Sequence, residues 1–318
     1  MRKKGILFVV IACISWAFMG VTSRNLYNLG VDAWTIAFFR CAIAGSFYWL
    51  LLLKQKPSSL IVKLKDIPFL ALYGITALGL GFMTYNLSIQ HISIAMATVL
   101  MFTNPIWVVI LNRIFFNISI SISKVLCIFC VLFGCILIAK AYDPSQLSLN
   151  LFGIIMGLVN GLFFALQLVL PKFSKRNHSK DTILSYGFLM GSIFLIFFAD
   201  FDVIKGLIFN SSQNLYFILN LLVLGIINTF IANSFYVKAT DYIDDGTVSL
   251  LVALEPILSS IVAFYFFKEV LELAQIIGIF EIVIGASLAT VILATLGVFL
   301  LIPAIIVEIV LLYRLAKR

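Results

Sequence analysis

Apolar runs long enough to cross a lipid bilayer follow one another along the whole chain, separated by short polar segments. A helix needs about 20 predominantly apolar residues to traverse a hydrocarbon layer of about 30 Å. In lipid every backbone N–H and C=O must be satisfied within the protein, so only helices and closed barrels span, and barrel strands are much shorter than these runs. The runs fall near Ile6–Ser23, Ala33–Leu53, Ile67–Ser88, Ser93–Phe116, Val125–Ala139, Phe152–Leu170, Thr182–Ala199, Tyr216–Tyr236, Thr247–Phe267 and Leu273–Leu293. They predict an all-α membrane protein with ten transmembrane helices. Composition agrees, because 11% of the residues are charged and 63% hydrophobic, whereas a soluble domain carries about 25% charged residues.

Arg2, Lys3 and Lys4 precede the first run as they would in a signal peptide. The run continues past Trp16 without a small-x-small cleavage site, so it reads as a retained first helix. The net charge of +8 does not gather into a nucleic-acid stripe. With the N-terminus placed in the cytoplasm, 14 Lys and Arg fall in inside segments, and only Arg24, Lys140, Lys205 and Lys268 fall outside. That asymmetry is the positive-inside pattern of a multi-pass protein of the cytoplasmic (inner) membrane.

The chain also repeats itself. A shift of 151 residues places Gly74 on Gly225, Tyr85 on Tyr236, Pro105 on Pro256 and Gly134 on Gly285. Slightly smaller shifts place Gly5 on Gly153, Trp16 on Phe164 and Thr35 on Thr182. Residues 1–140 and 150–293 therefore read as two five-helix repeats. An odd number of helices per repeat makes the second half enter the membrane from the opposite side, the inverted plan of many secondary transporters.

Within each repeat one helix is cut by proline. Asn104-Pro105 lies in the fourth run and Glu255-Pro256 in the ninth. Pro105 cannot donate to the carbonyl of Met101, nor Pro256 to that of Val252. Each break leaves an acceptor that needs a side chain, water or ligand. Pro105 and Pro256 are accordingly hinge candidates.

These features resemble the drug/metabolite transporter superfamily, in particular its ten-helix EamA branch. The resemblance spans roughly residues 5–293. It rests on Glu255-Pro256, Lys268-Glu269, Gln275, Gly278 and Gly285 in the second half, and on Arg40, Asn104-Pro105 and Gly134 in the first. One departure is Asn117-Ile118-Ser119, where the acidic residue matching Glu269 is missing. The resemblance implies a secondary-active transporter that moves small polar metabolites by alternating access, with a cavity formed by helices one, three, four, six, eight and nine. Amino acids or amine-containing compounds are the leading substrates, and a flippase for lipid-linked headgroups is the alternative.

On those helices the substrate-binding candidates are Trp16, Tyr85, Asn104, Trp107, Asn160, Asn233, Tyr236 and Glu255. A carboxylate at the bilayer centre costs about 2.5–3.5 kcal/mol on insertion scales, so Glu255 is expected to face a wet cavity, to hold a proton or to meet a cation. It either attracts a substrate ammonium or carries a coupled proton. Glu281, in the middle of the tenth run, is the second proton-coupling candidate. Buried asparagines such as Asn160, Asn228 and Asn233 serve helix packing as readily as substrate contact. The tryptophans and tyrosines could box an organic cation or simply pack. Arg40, several residues inside the second run, is expected to snorkel to the outer surface.

No catalytic, metal or cofactor site is expected. His91 and His178 stand far apart, Cys127-x-x-Cys130 lies in an apolar helix, and no phosphate-binding glycine loop is present. Nor do Glu255 and Glu281 form the clustered carboxylates of an enzyme. The expected partners are a small-molecule substrate and the lipid bilayer, with the chain a monomer or weak dimer. Residues 294–318 are apolar with a basic end and are expected to form an appended eleventh helix.

Overall fold

The computed structural model describes residues 2–92, 94–143, 150–174, 178–209, 212–267 and 272–289. The appended segment, Lys268 and Glu269 lie outside the described residues. Among the described residues the protein is all helix. The principal helices are α1 (Arg2–Asn28), α2 (Ala33–Gln55), α3 (Leu64–His91), α4 (Met96–Phe116), α5 (Ile122–Ile138), α6 (Leu151–Ser174), α7 (Lys180–Leu195), α8 (Asn214–Ala239), α9 (Asp245–Val262) and α10 (Leu273–Ala289).

Seven of these are long and apolar enough to cross a membrane: α1, α2, α3, α4, α6, α8 and α9. The other three have 16 or 17 residues; α5 covers most of the fifth run, α7 ends before the seventh run does, and the last residues of the tenth run lie outside the described residues. Turns end α5 and α7. Lys140 takes a left-handed φ of 52° just beyond α5. The seventh apolar run turns at Ile196–Phe198 and resumes as a separate helix, Phe201–Phe209. On α5, Leu126, Phe129 and Phe133 are exposed, as suits side chains facing acyl tails.

Polar caps start several helices. Asp32 accepts from the amides of Trp34 and Thr35 at the head of α2, and Ser179 accepts from Thr182 at the head of α7. Positions 32 and 35 match 179 and 182 at a common shift of 147 residues. Equivalent places in the two halves thus carry the same device with different chemistry.

Glycine brings helices into backbone contact in the same reciprocal way. A Cβ on Gly134 would lie 2.6 Å from the Gly278 carbonyl oxygen and 2.7 Å from Ile282; one on Gly285 would lie 3.0 Å from both the Cys127 carbonyl and Val131. Adding 151 to 127, 131 and 134 gives 278, 282 and 285, so one contact is made twice with its partners exchanged. Gly5 meets Tyr242 and Ile243, while its counterpart Gly153 meets His91 and Ile92, which are 151 residues earlier. Both α3 and α8 widen into π-helical turns, at Gly74–Leu80 and Val223–Ile231.

Gly278→Val should destabilise the protein by about 1–3 kcal/mol, since the obstacles include a backbone carbonyl that cannot step aside. Gly206, with nothing within 4 Å of an added Cβ, supplies the control. Thermal unfolding in detergent should show a lower midpoint for Gly278→Val and none for Gly206→Ala; equal midpoints would refute the packing role.

Candidate functional site

Both expected breaks are present. The helix stops at Met101 and restarts at Asn104 in α4, and it stops at Leu251 and restarts at Leu254 in α9. The carbonyl of Val252, deprived of a donor by Pro256, accepts from the Glu255 amide at 2.8 Å and from the Cys13 thiol of α1 at 3.7 Å. Cys13 also approaches the Leu251 carbonyl, at 3.9 Å. At the other break a Cβ on Gly161 would lie 3.0 Å and 3.3 Å from the carbonyls of Leu100 and Met101. Positions 13, 251 and 252 match 161, 100 and 101 through the shifts of 148 and 151 residues, so α1 covers the break in α9 as α6 covers the break in α4.

Beside the α9 break Glu255 is 9% exposed and lines a small, partly open cavity. Asn160 and Gln167 of α6 and Asn233 of α8 line it too. Their amide nitrogens donate to the carbonyls of Gly81, Ala77 and Thr229, at 2.6, 3.0 and 2.8 Å. Because a carbonyl only accepts, those bonds fix each amide's orientation and leave its oxygen as the free end. All three oxygens are buried without a hydrogen-bond partner. The cavity is therefore lined by a carboxylate and by three amides whose oxygens are buried and unpartnered among the described residues.

Its apolar wall comes from Trp16, Phe82, Tyr85 and Phe164. Trp16 meets Phe164 edge-on at 5.7 Å and Tyr236 at 5.2 Å, and Phe164 stacks on Tyr236 at 5.2 Å. Tyr236 is fully buried behind this wall rather than in it. Tyr85 is held through its hydroxyl at 3.4 Å from Thr98.

Other candidates lie elsewhere. Trp107 packs against the hydrophobic core and Asn104 is fully buried, and neither lines the cavity. Among the described residues both polar atoms of the Asn104 side chain lack partners, a costly state for a buried amide. Glu281 is half-buried on α10, the helix packed against α5, and is not a lining residue. Asn228 is spent on packing, donating to the Ser15 carbonyl and accepting from Thr22.

Arg40 does not snorkel. It is 5% exposed, lines the cavity, donates from Nε to the Thr229 hydroxyl at 3.1 Å and lies 3.9 Å from the Phe82 ring centre. A cation–π contact and a hydroxyl hold it inward, which rank by hydropathy cannot reveal. The available signal was its depth, seven residues beyond the start of α2 at Ala33. Met19, Phe82, Met101 and Phe164 also line the cavity, and in sequence they are indistinguishable from other apolar helix residues.

One end of the bundle is closed by ion pairs. Lys172 at the end of α6 is 2.5 Å from Asp245 at the start of α9, donates to Asn112 of α4 at 2.8 Å and sits over the Phe116 ring at 5.0 Å. Lys124 pairs with Asp244 at 2.7 Å, Lys180 with Asp241 and Lys238 with Asp181, each at 2.8 Å. The N-terminus shares this end, because Lys4 lies over Tyr242 at 5.2 Å. Burial raises the Asp244 carboxyl pKa, but the Lys124 ammonium and the Thr247 hydroxyl and amide outweigh it, so the net shift is downward.

The EamA-like transporter family profile matches residues 3–140 and again 151–291. An uncharacterised transporter of Archaeoglobus fulgidus is 26% identical over 87% of this chain and 93% of its own length. One from Haemophilus influenzae is 23% identical over 90% and 94%. The pseudopaline exporter CntI of Pseudomonas aeruginosa is 24% identical over 58% of this chain and 62% of the exporter. A solved crystal structure superposes with a TM-score of 0.73 at 16% identity, covering 93% of this chain and 99% of the other, and so shares the fold.

Lys172→Met should cost about 3–5 kcal/mol, because it strands Asp245, itself only 5% exposed, as a buried charge without its ion-pair partner. Lys172→Met/Asp245→Asn should recover much of that loss in thermal unfolding; additive losses would remove the coupling. The depressed Asp244 carboxyl stabilises the fold above the ordinary carboxylate range, and this contribution is lost as pH falls through its folded value. Asp244→Asn should therefore flatten the acid limb of the stability–pH curve, and an unchanged limb would contradict the assignment.

Proposed function

The chain belongs to the EamA-like transporter family, and from that premise we propose that it is a secondary-active carrier of small, polar, amine-bearing metabolites, amino acids first among them. In this reading residues 1–140 and 150–293 are inverted five-helix repeats, and alternating access exposes the cavity to each side of the cytoplasmic membrane in turn. The matching contacts of Gly134 on Gly278 and Gly285 on Cys127, and of Cys13 and Gly161 on the breaks of α9 and α4, support a two-fold relation between the halves. In the same reading, five helices per half put that axis in the membrane plane. The positive-inside count puts the ion-paired end in the cytoplasm.

The observation that carries the substrate reading is Glu255 among three buried, unpartnered amide oxygens. An ammonium brings three donors and a positive charge, and it satisfies such a set better than an anion or an apolar molecule. The aromatic wall adds cation–π attraction. Glu255 serves as the counter-charge or hands over a coupled proton, and Glu281 is outside this inner set. Asn104, at the position matching Glu255, gains a role under alternating access: when the opposite face opens, the two break residues exchange sealed and wet surroundings. No enzymatic step enters this reading.

Reconstitution in liposomes with labelled amino acids, amines and nucleoside-like metabolites tests it. Glu255→Gln should lower uptake of the transported compound at least tenfold and remove its pH dependence. Unchanged uptake and pH dependence for every compound would defeat the assignment, and movement of lipid-linked headgroups alone would favour a flippase.

A further inference from the structure

Arg40 is a buried cation without a carboxylate. Its guanidinium has five N–H groups, and among the described residues only Nε has a protein hydrogen-bond acceptor, the Thr229 hydroxyl. That hydroxyl is itself fixed, because it donates to the Leu224 carbonyl at 2.8 Å. One side of the group lies against the Phe82 ring. The two terminal amino groups are left over, and Arg40 lines the same cavity as Glu255.

Opposite charges sharing a confined apolar space ordinarily collapse onto each other. Here no ion pair joins Arg40 to Glu255 among the described residues; Thr229 and Phe82 hold the guanidinium on its own side. A pair held apart in this way leaves two poles. The oxygens of Asn160, Gln167 and Asn233, none of them hydrogen-bonded to Arg40 among the described residues, add acceptors to the residues that line the cavity. A ligand that satisfies every group must present donors to the acceptors and an anion to the guanidinium.

We infer that Arg40 is the carboxylate subsite of the cavity, its free terminal N–H groups taking both oxygens of a planar carboxylate, so that the substrate is a zwitterion with its amine at Glu255. A guanidinium matches a carboxylate two-pronged, which a lysine ammonium cannot do. This inference rests on the amine-carrier reading and deepens it. It makes Arg40 a specificity residue that separates an amino acid from the corresponding amine.

The test uses the purified full-length protein and matched pairs of probes: leucine with isopentylamine, lysine with cadaverine, phenylalanine with phenethylamine. Each pair differs by the carboxylate alone. Binding is read by calorimetry and by the shift in thermal unfolding. For the pair the cavity accepts, the amino acid should bind at least tenfold more tightly than its amine. Arg40→Gln should bring the amino acid down to the level of its amine, and Arg40→Lys should restore only part of the difference. The wild-type comparison needs no variant to fold. If the amines bind as tightly as the amino acids, the carboxylate subsite is overturned while the amine carrier stands. If no probe of either kind binds, the amine-carrier reading falls and this inference falls with it.

Discussion

A proline in a membrane helix removes a donor where no water can replace it, and the centre of this molecule is arranged around two such losses. In α9 the freed carbonyls are met by the Cys13 thiol and by the amide of Glu255. The break therefore draws α1 against α9 and sets the carboxylate at a bend rather than along a regular helix face. A buried charge needs a polar or wet surrounding, and the amides of α6 and α8 that converge on Glu255 supply one. Backbone satisfaction, side-chain placement and cavity polarity thus follow from one substitution of proline into an apolar run.

Packing around the breaks depends on close approach rather than on bulk. Lipid tails are as apolar as leucine, so helices in a membrane gain little from burying leucine against leucine and associate through small residues and hydrogen bonds. Gly134, Gly278 and Gly285 bring α5 and α10 into backbone contact, Gly161 does the same for α6 against α4, and Gly153 and Gly157 let α6 pack closely on side chains of α3 and α4. Buried asparagines then stitch neighbours, as Asn228 does for α1. Larger side chains at these glycines would push the breaks apart and disperse the lining groups.

Much of this was legible beforehand because it rests on residues with few alternatives. Proline fixes a break, glycine in register fixes a contact, and runs of apolar residues fix helices. Glu255, Trp16, Tyr85, Asn160 and Asn233, singled out for their side chains on the helices the family resemblance points to, line one cavity in the structure. Arg40 was not singled out for the cavity, because its inward path depends on Phe82 and Thr229, which lie on other helices. The length of α7 was also hidden, since the turn at Ile196–Phe198 occurs within apolar sequence and carries no glycine or proline signal. Asn104 and Glu255 occupy matching positions but different surroundings, a difference that sequence symmetry cannot express.

That difference extends to the ends of the bundle. Lys172 matches Arg24 at a shift of 148 residues, but Asp244 and Asp245 match Ser93 and Ile94 at a shift of 151, so the charged closure has no acidic counterpart in the first half. The repeated skeleton therefore carries unequal fastenings. In the carrier proposed above, opening the end held by Lys172, Lys124 and Lys180 requires separating ion pairs, and one of these has a carboxylate only 5% exposed. Separating such a buried pair leaves its carboxylate uncompensated, whereas the pair at the other end of α5 and α10, Lys140 with Glu272, is more exposed at 35% and 56%. In that proposal the two facing states then differ in energy in spite of the repeated sequence. A ligand shifts that balance only by binding one state better than the other. The central cavity, with Glu255 and Arg40 both inside it, is where a substrate has charged groups to bind differently in the two states.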